Sequence, residues 1–357
     1  MCYDGVFSRE PIETLKCLKK GVEKMSFFNV LILSAGRRVE LVQCFKSAAK
    51  RLGIQSVLVA ADCQDTAPAL YFADKAVMLP RISSPNYIDS IIDVCNQYGI
   101  RIIIPTIDTD LLLLAENKER IESATSARVL VSSKEVIEVC RDKVKTQQFL
   151  EREGFQVPRM YSEKELDTLS LNFPLFIKPR DGSSSINAFK VNNRDELDAY
   201  RSLIANPLVQ DFINGDEYTV DAFLDFDGNV ISVVPRLRIA TRGGEILKGR
   251  IAKDQEIIAD VKKMLSRLKP IGHITIQCMK TEGTIKYIEI NPRFGGGAPM
   301  SIFSGADSCE ALYRLLRGEQ LCYHENYKDG LLFLRFDNSI CLNDKMEMVA
   351  AVGDDND

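Results

Sequence analysis

The chain of 357 residues carries 46 Lys+Arg against 50 Asp+Glu, a formal net charge of −4, with 45% hydrophobic residues. Its length suits about two or three domains, and so even a charge balance excludes the cationic faces of a nucleic-acid or membrane-surface protein. There are two histidines, His273 and His324, so a multi-histidine metal site is excluded and chemistry falls to Lys, Arg, carboxylates, amides and backbone.

Residues 1–24 are polar and fit poorly to the strand–helix pattern that starts after them. They are expected to form an arm, loosely packed or carrying a helix over Ile12 to Glu23, with the folded domain beginning near Met25. From Asn29 short apolar runs alternate with helical spacing. Strands are predicted at Asn29–Leu33, Ser56–Ala60, Ala76–Leu79 and Arg101–Ile104, and helices at Val39–Leu52, Tyr87–Tyr98 and Asp110–Glu119. Buried strands alternating with helices predict a doubly wound parallel sheet over 26–130. Polar clusters at the strand ends, including Ser34, Arg37 and Asp108, face the edge where such sheets bind ligands.

The texture changes near Ser132. Helices are predicted at Lys134–Cys140, Lys143–Glu153, Arg194–Leu203 and Gln255–Leu268. Strands are predicted at Leu175–Lys178, Ala188–Val191, Leu208–Ile213, Tyr218–Asp225, Val230–Val234, Ile274–Lys280 and Ile285–Ile290. This is an α+β region, divided into 131–207 and 208–357, with a disordered acidic end at 353–357. The ten cysteines include no C-x-x-C pair, and no signal peptide is apparent. Free, mostly buried thiols and a cytoplasmic location are expected. No apolar run approaches the roughly 20 residues of a membrane helix.

Four segments carry chemistry. In Phe173-Pro-Leu-Phe-Ile-Lys-Pro-Arg-Asp-Gly-Ser-Ser-Ser185 a strand delivers Lys178 into a loop, Gly182 to Ser185, whose amides and hydroxyls suit phosphate oxygens. Arg141-Asp-Lys143 opens a helix upstream of it. Leu208 to Ile213 runs into a turn and then Glu217, a geometry equally that of an ordinary hairpin. In Ile285-Lys-Tyr-Ile-Glu-Ile-Asn-Pro-Arg-Phe-Gly-Gly-Gly297, Glu289 and Asn291 share one strand face, with Arg293 beyond. Gln277 on the preceding strand comes beside them if the two pair antiparallel. Carboxylate and amide oxygens suit Mg²⁺.

Together, and in this order, these segments resemble the ATP-grasp superfamily, specifically single-module relatives of the carbamoyl phosphate synthase large subunit. The resemblance covers roughly Asn29 to Leu316. It implies a pre-ATP-grasp domain followed by a two-lobed ATP-grasp module. Lys143 and Lys178 would bind ATP phosphates, and Gly182, Ser183, Ser184 and Ser185 would form the phosphate loop. The Asp211 carbonyl and Ile213 amide would meet adenine, and Glu217 the ribose. Gln277, Glu289 and Asn291 would hold one or two Mg²⁺, with Mn²⁺ as an alternative, and Arg293 would stabilise an acyl-phosphate transition state. The implied activity is ATP-dependent, ADP-forming carboxylate–amine or ammonia ligation of small molecules, without nucleic-acid or membrane partners and with a homodimer left open. A complete carbamoyl phosphate synthase needs two such modules and is not expected from one.

For the substrate, Arg236, Arg238 and Arg242 form a basic run that could clamp a carboxylate, or equally a solvated charged strand. His273 is expected in a core or loop, and Cys278 on the opposite strand face from Gln277. Two other function classes compete with this reading. One is a nucleotide-binding regulatory protein without turnover. The other is a dinucleotide-dependent oxidoreductase, but Ser34-Ala-Gly-Arg-Arg38 lacks the glycines of G-x-G-x-x-G.

Overall fold

In a computed structural model, residues 27–168, 170–182 and 186–351 are described. The N-terminal arm, the serines Ser183, Ser184 and Ser185 and the acidic end lie outside the described residues.

The first layer comprises β1 (Asn29–Leu33), α1 (Val39–Arg51), β2 (Leu58–Asp62), β3 (Lys75–Met78), α2 (Tyr87–Tyr98), β4 (Ile100–Pro105), α3 (Asp108–Glu116), α4 (Lys118–Ala124) and β5 (Arg128–Val129). The strands lie in the order β3-β2-β1-β4-β5, all parallel. Every residue of β1 is buried because helices cover both faces of the sheet, which is why it reads as an unbroken apolar run. Gly99 closes α2 in the left-handed conformation (φ +58°) that glycine adopts without a Cβ clash. The helix predicted over Asp110–Glu119 is two helices, α3 and α4, meeting at Asn117.

After α5 (Lys134–Arg141) and α6 (Lys143–Arg152) come β6 (Met160–Tyr161), α7 (Glu163–Thr168), β7 (Leu175–Pro179), β8 (Phe189–Val191), α8 (Arg194–Leu203) and β9 (Pro207–Asp211). Strands β6-β9-β7-β8 form a four-stranded antiparallel sheet. The remaining large sheet uses β10 (Asp216–Leu224), β11 (Val230–Arg242), β12 (Glu245–Ile251), β13 (Gly272–Thr281), β14 (Thr284–Asn291) and β15 (Leu332–Leu334). They run β14-β13-β10-β11-β12-β15, every neighbour antiparallel. Helix α9 (Gln255–Leu268) packs beneath this sheet, and α10 (Ala298–Ser304) and α11 (Ser308–Leu316) come after it. A ribbon of β16 (Ile340–Leu342) and β17 (Met348–Ala351) ends the described chain. No described helix is long and apolar enough to cross a membrane.

The packing does not follow the divisions drawn from sequence. Val136, Cys140, Phe149 and Leu150 of α5 and α6 share a core with the large sheet. Strand β9 pairs with β7, so the four-stranded sheet extends to Asp211. Phe294, Ile302, Leu312 and Tyr313 pack against α1, so late elements complete the first core. Among the described cysteines, Cys44, Cys95, Cys140, Cys278 and Cys309 are buried and Cys63, Cys322 and Cys341 exposed, all free.

Candidate active site

Strand β7 carries Lys178 to its end, where only 6% of the residue is exposed. Burial, reinforced by the nearby charge of Lys143, lowers the Lys178 pKa to about 8, and Glu289 opposes the drop. Lys143 starts α6 and reaches the loop after β7, donating from Nζ to the Gly182 carbonyl at 2.8 Å. Its neighbour Asp142 caps α6 through the Val144 amide and takes both arms of Arg180, at 2.9 and 2.5 Å. The start of α6 and the segment that follows β7 are thus stapled together. Sequence reasoning gives Lys143 a role but misses Asp142 and Arg180, which lie 38 residues apart.

Lys143, Lys178, Gly182, Asp211, Ile213 and Glu217 line one cavity of about 430 Å³, which also includes Gln277 and Glu289. Phe176, Phe212 and Met279 supply an apolar side to it. The Asp211 carboxylate accepts from the Tyr161 hydroxyl at 2.8 Å.

Antiparallel pairing sets Gln277 opposite Glu289 and Thr275 opposite Asn291. The turn at Glu282-Gly283 (Gly283 φ +72°) makes the hairpin local, but its register alone would set Gln277 opposite Ile288; an irregularity between Gln277 and Cys278 shifts the pairing by one residue and brings Glu289 opposite Gln277. Cys278 faces the other way and is fully buried. Among the described residues no cluster of three or more His, Cys, Asp or Glu side chains could hold a metal by itself. The donor set at this place is one carboxylate and two amide oxygens. Such a hard-oxygen set fits Mg²⁺, which keeps few protein ligands and shares phosphate oxygens.

A second, smaller cavity of about 110 Å³ shares Arg238, Gly244, Gln277 and Glu289 with the first and adds Arg38, Arg236 and Arg293. Arg293 spans to the N-terminal layer, where Asp108 at the start of α3 takes its Nε at 2.8 Å and Nη2 at 2.6 Å. Ser34 donates to buried Asp110 at 2.7 Å instead of lining the pocket, and Arg37 is exposed. Burial lifts the Asp110 carboxyl to about 6, although bonds from Ser34 and Tyr87 oppose the shift.

The expected three-arginine clamp is corrected by these contacts. Arg236 is 1% exposed, and its fork is taken by buried Asp221, at 2.7 Å to Nε and 3.1 Å to Nη2. Burial alone would raise the Asp221 pKa, but Arg236 and His273 outweigh it and hold the carboxylate well below its usual range. Arg236 is therefore a braced wall of the cavity, with no free donor fork. Arg242 pairs with Asp337 at 2.5 Å on the surface and lines neither cavity. Arg238 does line both, pairing with Glu217 at 2.9 Å. His273 is a core residue, stacked on Phe294 at 4.3 Å, with Nδ1 3.3 Å from the Ser308 hydroxyl.

A family profile described as an ATP-grasp domain matches residues 140–297, the segment that lines the wider cavity and, apart from Arg38, the smaller one. This chain carries an ATP-grasp domain. A PylC-like N-terminal domain profile matches residues 30–129, the parallel layer in front of the ATP-grasp domain. Over 181 residues the chain is 26% identical to a D-alanine–D-alanine ligase of Fusobacterium nucleatum, covering 47% of this chain and 59% of that one. Over 189 residues it is 22% identical to a carbamoyl-phosphate synthase of Methanobrevibacter smithii, covering 51% of this chain and 49% of that one. The chain thus spans only half to three-fifths of these relatives. In fold it resembles the biotin carboxylase domain of Hydrogenobacter thermophilus 2-oxoglutarate carboxylase, a complex with MgADP and bicarbonate (TM-score 0.67, 19% identity, 86% of this chain and 74% of that one). It also resembles an L-amino acid ligase from Bacillus licheniformis (TM-score 0.63, 22% identity, 81% and 74%).

Proposed function

We propose that the protein is an ADP-forming carboxylate–amine ligase that works through an acyl phosphate. The observation that carries this reading is the junction of the two cavities. The wider one has the size and mixed lining for a nucleotide, the smaller one is ringed by guanidinium groups, and they meet at Gln277 and Glu289.

On this reading the backbone at Asp211 and Ile213 meets adenine and Glu217 the ribose. Lys143, Lys178 and the loop from Gly182 through Ser183, Ser184 and Ser185 cradle the phosphates. Gln277, Glu289 and Asn291 would hold Mg²⁺, which neutralises phosphate charge when bound. A substrate carboxylate oxygen in the smaller cavity attacks the γ-phosphorus, and the bond to the ADP oxygen breaks. An amine nitrogen then adds to the acyl carbon, phosphate leaves, and the nitrogen gives up its proton. Arg293, held in one orientation by Asp108, faces the charge that builds on the transferring group. No side-chain nucleophile enters. The protein supplies position and charge, which suits a chain with two histidines.

Phosphate release from MgATP, measured with pooled carboxylic acids and amines, tests this. Activity in the parent chain that is abolished by Glu289→Ala is expected. MgATP binding without ADP formation from any pool would favour a nucleotide-binding regulator, and binding of NADH in place of ATP would overturn the reading.

A further inference from the structure

Four arginines line the smaller cavity, and three have a carboxylate: Arg236 has Asp221, Arg238 has Glu217, and Arg293 has Asp108. The fourth, Arg38, has no ion-pair partner among the described residues. Its one side-chain hydrogen bond runs from Nη2 to the Thr106 carbonyl at 3.4 Å. Two acidic groups stand in its field without pairing with it: Glu245, which is engaged by Arg335 at 3.5 Å, and Asp108, taken by Arg293. Burial first, and then the like charges of Arg293 and Arg335, lower its pKa. A desolvated guanidinium next to other guanidiniums is costly unless an anion arrives.

The backbone is built to present it. Arg38 lies at the foot of α1, after a turn in which Ser34 takes the left-handed conformation (φ +50°). The Ser34 hydroxyl is tied to Asp110, and the Arg38 amide closes the turn onto the Ala35 carbonyl at 2.8 Å. A non-glycine residue at positive φ in a binding turn stores strain that its surroundings must hold. Across the cavity, Gly295-Gly296-Gly297 makes room. A Cβ on Gly296 would sit 2.7 Å from Arg38 Nη1, and one on Gly297 2.6 Å from Arg236 Nη1. The glycine run after the Asn291-Pro-Arg293 segment thus finds a use the nucleotide site does not give it. Arg38 lines only the smaller cavity and none of the nucleotide cleft.

Resting on the ligase reading above, we propose that Arg38 anchors a second carboxylate, so that the acid substrate is a small dicarboxylic acid. One carboxylate lies toward Gln277 and Glu289 for phosphorylation, and the other is held in the guanidinium fork of Arg38. Arginine suits this position because its planar fork binds a carboxylate through two parallel hydrogen bonds.

The test is calorimetric titration of the full chain, with and without MgADP, using succinate and glutarate against butyrate and valerate. The dicarboxylates are expected to bind at least about tenfold tighter than the matched monocarboxylates. Arg38→Gln is expected to erase that preference while MgADP affinity stays unchanged. Gly296→Ala is the second variant: the new methyl displaces the end of a flexible side chain, so folding is kept and the preference falls. Equal binding of mono- and dicarboxylates by the parent, or a preference that survives Arg38→Gln, overturns the proposal. A dicarboxylate preference that depends on Arg38 in a chain that fails to bind MgADP would uphold the anchor and sink the ligase reading instead.

Discussion

The two cavities manage positive charge in opposite ways. In the wider one the cations other than the shared Arg238 are ammonium groups: Lys178 is buried with a depressed pKa, and Lys143 rests on a backbone carbonyl. Neither is locked to a carboxylate among the described residues, so on the proposed reading phosphates would meet groups whose charge is still uncommitted. In the smaller cavity the cations are guanidiniums, and three of four are clamped by carboxylates on neighbouring strands or on α3. There Arg236 and Arg238 build the wall, Arg293 is oriented by Asp108, and the exception, Arg38, stands out against them. A basic cluster is therefore not one kind of site. What separates the braced Arg236 from the open Arg38 is whether the protein has already supplied the counter-charge.

The sharpest way to break this contrast is to remove a counter-charge from the wall. Asp221→Ala strands Arg236 in a buried setting, and a loss of about 3–5 kcal/mol is expected in denaturant unfolding. Next comes the uncommitted side. Lys178→Met is expected to lower turnover by roughly 10²–10³-fold while the fold stays intact. In the parent chain MgATP affinity should also fall as pH rises through about 8, because the free protein loses the Lys178 ammonium there. That loss should vanish in the methionine variant, and titration calorimetry from pH 7 to 9 reads both. The smallest effect belongs to Arg242→Ala, which removes an exposed pair with Asp337 and touches neither cavity. No measurable change in Tm or kcat/KM is expected from it.

How much the sequence makes legible depends on distance along the chain. The β13–β14 hairpin closes on one tight turn, so the sequence brings Gln277 and Glu289 close, but their pairing rests on a one-residue register shift beside Cys278 that the sequence does not announce. Lys178 can be placed because an apolar strand ends in a glycine-containing loop. Arg236 cannot be told from Arg238, since both occupy the same face of β11. Their difference lies in Asp221 on β10, a neighbour that only sheet pairing brings into reach. The sequence also ends β11 at Val234, because proline usually stops a central strand, yet Pro235 sits within it opposite Val220. Arg38 faces Gly296 across the whole length of the ATP-grasp domain, and Asp108 reaches Arg293 over 185 residues. No periodicity reports on such contacts. Helices α10 and α11 escape sequence reasoning because their apolar faces complete a core that begins near residue 28.

That last feature bears on how the protein is made. Phe45 on α1 stacks edgewise on Phe294 and Tyr313, each at 6.0 Å, so the face of the first helix is covered by residues from the far end of the chain. A chain emerging from the ribosome at roughly 5–20 residues per second would leave that face open on the order of tens of seconds. The N-terminal layer is synthesised well before the elements that seal it. In the cell the nascent first domain thus waits, with an apolar flank open to chaperones, until the ATP-grasp domain behind it has been translated.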